Sequence, residues 1–182
     1  LIEAVKDLKA YELECQIKQF LIGIDHIKKL MNEHIHDVNH LSKRWSREDI
    51  IGKDLSKWTY KFTYVNNPEK YGDMFVNQHP QLIEAVKDLQ AYELESQKQQ
   101  VLIGIDHIKK LFNEYIHDIN HLNKEWSRQT IIGKDLSNWM SRQIHICVNN
   151  PDKYGNTLVN QDPRLIEAVK DLKAYELECQ IK

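Results

Sequence analysis

Breakers are scarce in this chain. Its 182 residues include 6 glycines and 4 prolines, too few to punctuate a succession of short strands and turns, so a β-rich fold is excluded in favour of helix. Cysteine is equally sparse. Cys15, Cys147 and Cys179 are odd in number and lack metal-site spacing, and Ser96 stands where the next copy of Cys15 would fall. A disulfide framework is therefore not expected, which fits a reducing compartment. No apolar run approaches the roughly 20 residues that span a bilayer, and no secretory leader is expected at the N-terminus. The net charge of -2 lacks the basic excess of a nucleic-acid surface. The expectation is a soluble, intracellular, cytoplasmic protein that neither binds nucleic acid nor inserts into membranes.

Catalytic signatures are missing too. There is no Gly-rich phosphate cradle, no nucleophile elbow and no Cys-His pair enforced by spacing, so no enzyme activity and no cofactor in this chain are expected. The mean hydropathy of -0.61 and 29% charged residues favour an extended helical protein that leans on partners over one with a large private core.

What the chain has is repetition. The octapeptide LIEAVKDL begins at Leu1, Leu82 and Leu165, giving offsets of 81 (82 minus 1) and 83 (165 minus 82). The repeat units are thus 1–81, 82–164 and the start of a third at 165–182. Copies one and two align without gaps to Trp58 and Trp139; two extra residues then precede Asn149, Asn150 and Pro151, the counterparts of Asn66, Asn67 and Pro68. Residues 165–182 are identical to residues 1–18, whereas residues 82–99 differ from both, with Gln90 for Lys9 and Lys98 for Ile17. The pattern is that of an alternating array with a period of 164 (165 minus 1), of which this chain is expected to be an excerpt.

Within a unit, Asp162 before Pro163 has the chemistry of a helix start, N-cap then proline at the first helical position, and His79 before Pro80 is a weaker version. An amphipathic pattern follows through Leu82, Val86, Leu89 and Tyr92 to Ile105, Ile108, Phe112, Ile119, Leu122 and Trp126. Ser46 to Asp49, and Ser127 to Thr130, resemble capping boxes. The fold class expected is all-α, as tandem repeats of long, partner-decorated helices of some 60 residues, about 90 Å each. The alternative is small bundles in series, with helices 80–100, 101–126 and 131–146 folded back on one another.

All four tryptophans fall in two equivalent windows. Ile51, Leu55 and Trp58 lie four and then three residues apart, within roughly 60° of one helix face, and Ile132, Leu136 and Trp139 repeat them. A second, imperfect set comprises Val38, Leu41 and Trp45, mirrored by Ile119, Leu122 and Trp126. The surroundings are basic: residues 43–61 carry Lys43, Arg44, Arg47, Lys53, Lys57 and Lys61 against Glu48, Asp49 and Asp54, a local excess of three cations. In copy two, Arg128, Lys134 and Arg142 flank the anchors. A basic, amphipathic, Trp-anchored helix is the form taken by calmodulin targets, whose anchors enter an opened EF-hand groove while lysines meet its acidic rim. A Trp/Leu/Ile stripe at helical spacing equally suits internal core, so this set is either a partner site or packing.

The Ile51, Leu55, Trp58 and Ile132, Leu136, Trp139 sets resemble the centrin-binding motif, hydrophobic-xxx-hydrophobic-xx-Trp. In tandem units without an EF-hand loop of their own, they are similar to the giant spasmin-binding proteins of contractile ciliates. The resemblance implies a non-enzymatic scaffold whose helices bind several spasmin-, centrin- or calmodulin-like EF-hand proteins per chain. Calcium would reside on the partner, and the assembly would be the cytoskeletal backbone of a calcium-triggered contractile fibre or cell cortex. Two alternatives stand beside it. One is a passive helical spacer. The other is a metal-binding bundle, since His36 and His40, and His117 and His121, are spaced one helical turn apart with Glu33 and Glu114 three residues before the first of each pair.

Overall fold

The computed structural model describes residues 1–182. The chain is all-helical and contains no strand. Two long helices dominate: α1 (Ile2–His36) and its counterpart α5 (Pro80–Ile116). Each is followed by a shorter set. After α1 come α2 (Arg47–Ile51), α3 (Lys53–Tyr60) and α4 (Pro68–Tyr71); after α5 come α6 (Arg128–Ile132), α7 (Lys134–Asn138), α8 (Ile146–Asn149) and α9 (Pro151–Tyr154). The third long helix, α10 (Pro163–Ile181), opens the partial third copy.

The starts follow their local chemistry. The Asp162 carboxylate accepts a hydrogen bond from Arg164 N at 2.9 Å, with Pro163 at the first helical position. The Ser46 and Ser127 hydroxyls accept from Asp49 N and Thr130 N, both at 3.3 Å, so the half of the capping box that lies in the serine is formed.

The long helices run 35 and 37 residues, well short of the 60 allowed by the amphipathic pattern. Gly23 and Gly104 do not interrupt them. The reversal comes instead at Asp37 and Asp118, whose carboxylates accept from Asn39 N and Asn120 N at 3.0 Å and start single 3-10 turns. An aspartate that satisfies the backbone two residues on gives the chain an alternative to continuing the helix. The chain therefore leaves the long helix at Ile116, and α5 runs unbroken through Gly104.

Two compact units result. The first comprises residues 1–34 and 45–96, the second residues 35–44 and 97–182. In the first, Ile24, Ile27 and Met31 of α1 share a core with Ile51, Phe62, Val65 and Val76 and with Leu82, Val86 and Leu89 from the start of α5. In the second, Ile105, Ile108 and Phe112 of α5 share a core with Ile132, Trp139, Met140, Ile144 and Val159 and with Leu165, Val169 and Leu172 of α10. Each core thus combines the later half of one repeat's long helix, and the short helices after it, with the start of the next repeat's long helix. The repeat boundaries at residues 81 and 164 fall inside folded units. This corrects the expectation of a chain without a private core: each core is real, but neither belongs to a single repeat.

The two-residue length difference is absorbed by helix type. After α3 the chain winds tightly as a 3-10 helix over Lys61–Asn66; after α7 it winds widely as a π-helix over Trp139–His145, a rare form that takes up extra residues without leaving the helical path. Both routes converge on the same clamp. Asn77 Nδ2 donates to Tyr64 O and Tyr71 O at 3.0 and 2.7 Å, and Asn160 Nδ2 donates to Cys147 O and Tyr154 O at 2.7 and 2.9 Å.

No helix is long and apolar enough to cross a membrane.

Candidate functional site

The Trp-centred stretch is not one helix. Ile51 closes α2, Gly52 follows at φ +89°, and Leu55 and Trp58 lie on α3; Gly133, at φ +90°, divides Ile132 from Leu136 and Trp139 in the same way. Only glycine adopts this conformation without strain. The continuous helical stripe expected from the spacing is therefore corrected to two short helices joined by a bend. Ile51 and Ile132 are both buried at 6% exposure, in their own cores.

Trp58 lies across α1. A Cβ added to Gly23 would meet its Cη2 at 2.8 Å, so the glycine is a seat for the indole. Phe20 and Phe62 complete an aromatic trio, with ring centroids 5.0 Å (Phe20 to Trp58), 4.8 Å (Trp58 to Phe62) and 5.3 Å (Phe20 to Phe62). Beside it is an open, mainly apolar cleft of about 510 Å³ lined by Gln16, Gln19, Phe20, Gly23, Leu55, Trp58 and Phe75. Trp58 is half-buried and forms part of its wall.

Trp139 is seated on Gly104 in the same manner but is 6% exposed. Val101 stands in place of Phe20, and the aromatic trio has no counterpart in the second unit. His145 is buried, its Nε2 has no hydrogen-bond partner, and burial, aided by the positive charge of Arg128, lowers its pKa to about 4. It lines a cleft of about 410 Å³ that also includes Arg128, Ser141, Lys173 and Glu176.

The second anchor set does not share a face, because α1 and α5 end before it. Val38, Ile119 and Leu122 are exposed, Leu122 at 76%, while Leu41 is 1% exposed. Trp45 and Trp126 are half-buried. Trp45 meets His34 edge-on at 5.8 Å, and Trp126 packs on Phe112 and Tyr115 at 5.3 and 5.8 Å. The indole Nε1 atoms of both are buried without a hydrogen-bond partner.

The basic residues divide into two groups. Arg44, Lys53, Lys57, Lys61, Lys134 and Arg142 are exposed. Arg47 and Arg128 are used internally, which departs from a steering role. Arg47 donates through Nε and Nη2 to both carboxylate oxygens of Glu93, at 3.1 and 2.9 Å, and through Nη1 to Thr59 Oγ1 at 3.4 Å. Arg128 forks Glu176 likewise and donates to Ser141 Oγ at 2.6 Å. Such bidentate pairs fix geometry as well as charge. Sequence reading missed them, although Arg47 and Arg128 are matched in register, as are Glu12, Glu93 and Glu176.

The histidine pairs do not form a turn of helix. His36 ends α1 and His40 lies in the 3-10 turn beside Asp37. His117 is beyond α5, its Nδ1 2.8 Å from Asn113 O, and His121 stacks on Tyr115 with centroids 4.1 Å apart. No three His, Cys, Asp or Glu side chains converge as metal ligands would. Cys15, Cys147 and Cys179 are all free thiols.

Comparison with family models, with curated proteins and with solved structures finds no match to this chain.

Proposed function

We propose that this protein is a non-enzymatic repeat scaffold whose Trp-centred short helices recruit EF-hand proteins of the spasmin or centrin kind, as part of a cytoplasmic, calcium-triggered contractile fibre or cell cortex. The observation that carries this reading is the open cleft at Leu55 and Trp58. A large aromatic anchor is held there at half-burial, beside apolar surface, with the exposed Lys53 and Lys57 on the same short helix and Lys61 just after it. Aromatic anchors framed by cations are what an EF-hand groove with an acidic rim takes hold of. Gly52 gives α3 a bend about which it can swing away from Phe20 and Phe62. Calcium on the partner opens its groove, the groove competes for Trp58, and the module's packing changes as the ion arrives. The second unit is a weaker site of the same kind because Trp139 is more deeply buried.

The test is a titration of a centrin-family protein against the chain with and without calcium, followed by heat and Trp fluorescence. Binding is expected, and Trp58→Ala should cost at least about 2 kcal/mol of it. Absence of a complex in both calcium states would sink the reading. A passive helical spacer is the second reading, favoured by the burial of Ile51, Ile132 and Trp139. It expects a stably folded chain that ignores EF-hand proteins.

A further inference from the structure

Each core offers a seat, built from the later half of a long helix and the short helices after it, to the start of the next long helix. Two helix starts fit that seat alike. The octapeptide LIEAVKDL stands at Leu82 in α5 and at Leu165 in α10. In each the same apolar face is buried, Leu82, Val86 and Leu89 at 0%, 0% and 3% exposure and Leu165, Val169 and Leu172 at 0%, 1% and 0%. The polar fastenings repeat as well. Lys28 meets Asp88 at 3.6 Å and Lys109 meets Asp171 at 3.9 Å, while Arg47 forks Glu93 and Arg128 forks Glu176. None of these contacts tells one helix start from the other.

The residue before the proline differs. Asp162 caps α10, its side chain is 9% exposed, and its Oδ2 lies 3.3 Å from Nζ of Lys98 in α5, whose side chain is 20% exposed. In the first unit, His79 stands where Asp162 does and Ile17 where Lys98 does. Ile17 is half-buried against the first core, and His79 packs on Phe75 with ring centroids 4.8 Å apart. The second unit thus closes this corner with an ion pair, and the first with apolar and aromatic surface.

We infer that Lys98 and Asp162, set against Ile17 and His79, are the residues by which each seat selects its own helix start over the near-identical other. If α10 took the first seat, Asp162 would face Ile17 and keep only Arg164 of its own helix as a partner. With the start of α5 in the second seat, Lys98 would meet His79 and no carboxylate. Either exchange leaves a largely desolvated charge short of a partner. That is a repulsive element against the wrong pairing, placed where attraction alone does not discriminate. Tandem units of like sequence are prone to such misassembly. The inference concerns folding and is independent of the EF-hand reading.

Refolding of the 182-residue chain tests it. Unfolding is kept brief, so that the prolines retain their native isomers and a slow phase afterwards reports mispaired chains. Two variants erase the distinction. Lys98→Ile with Asp162→His gives both units the apolar corner, and Ile17→Lys with His79→Asp gives both the ion pair. In each, the ratio of slow to direct folding should rise about tenfold over the unaltered chain, the factor carried by about 1.4 kcal/mol of lost discrimination. All four replacements together exchange the two corners and restore the distinction, so that chain should refold like the unaltered one. An unchanged slow fraction in the erased variants overturns the proposal. So does a four-residue variant that traps as much as they do, since the effect would then lie in the packing of the new residues and not in the choice of helix.

Discussion

Gly23 and Gly104 each sit in the middle of a long helix, where alanine would ordinarily gain about 1 kcal/mol in helix propensity. Their cost is accepted because an indole lies where the Cβ would be, 2.8 Å from Cη2 in both cases. The two sites differ in what the indole can do next. Trp58 borders an open cleft and can slide; Trp139, 6% exposed, cannot. Gly104→Ala should therefore lower thermal stability, with overpacking of about 1–3 kcal/mol outweighing the propensity gain, whereas Gly23→Ala should be close to neutral. Melting the two variants side by side checks the contrast. His145 gives a second test. The folded state holds its ring neutral, with the pKa lowered from 6.5 to about 4, so folding excludes a proton that the unfolded chain binds. Stability should be level above pH 6.5 and fall as pH drops from there towards 4. His145→Phe, which replaces the buried imidazole by an apolar ring, should remove this slope and raise the melting temperature, read by denaturation across that pH range.

The elements were partly legible in the sequence. Pro80, Asp162 with Pro163, and Ser46 with Ser127 announced their helix starts because their chemistry is local. The ends of α1 and α5 were not announced, because Asp37 and Asp118 act through a side-chain bond to the backbone that competes with an otherwise unbroken amphipathic pattern. Whether the chain bends at Gly52 and Gly133 was left open by the sequence for a related reason: Ile51, Leu55 and Trp58 keep helical spacing across it. Whether those anchors point inward could not be read at all, since a stripe suited to a partner's groove also suits a core. Between elements, the forks from Arg47 to Glu93 and from Arg128 to Glu176 fasten α2 and α6 to the next long helix. The Glu176 side chain is 7% exposed and that of Arg128 is 30% exposed. Glu176→Ala should thus cost stability near the lower end of the roughly 3–5 kcal/mol seen when a buried pair loses one member, because the guanidinium retains access to water. Glu176→Gln should cost less. Chemical denaturation of the two variants measures both.

At the scale of the whole molecule, the repeat seen in the sequence and the unit seen in the fold differ in phase. Periodicity reveals the first because identical letters recur. The second depends on which half-helices share a core, and Leu82, Val86 and Leu89 carry no mark in the sequence that they belong with Ile24, Ile27 and Met31 of the preceding repeat. The low mean hydropathy misled for the same reason, since apolar residues drawn from two repeats make one core. A fragment cut to keep the first core whole, residues 14–99, contains both α1 from Glu14 onward and the start of α5 up to Gln99. A fragment cut on the sequence repeat, residues 1–81, keeps the exposed first half of α1 and lacks Leu82, Val86, Leu89 and Glu93. Thermal unfolding of these two fragments, followed by tryptophan near-UV circular dichroism, tests the account most directly. Residues 14–99 should show a fixed indole signal lost in one cooperative transition, and residues 1–81 should show neither. A cooperative transition in residues 1–81 equal to that of residues 14–99 would contradict it.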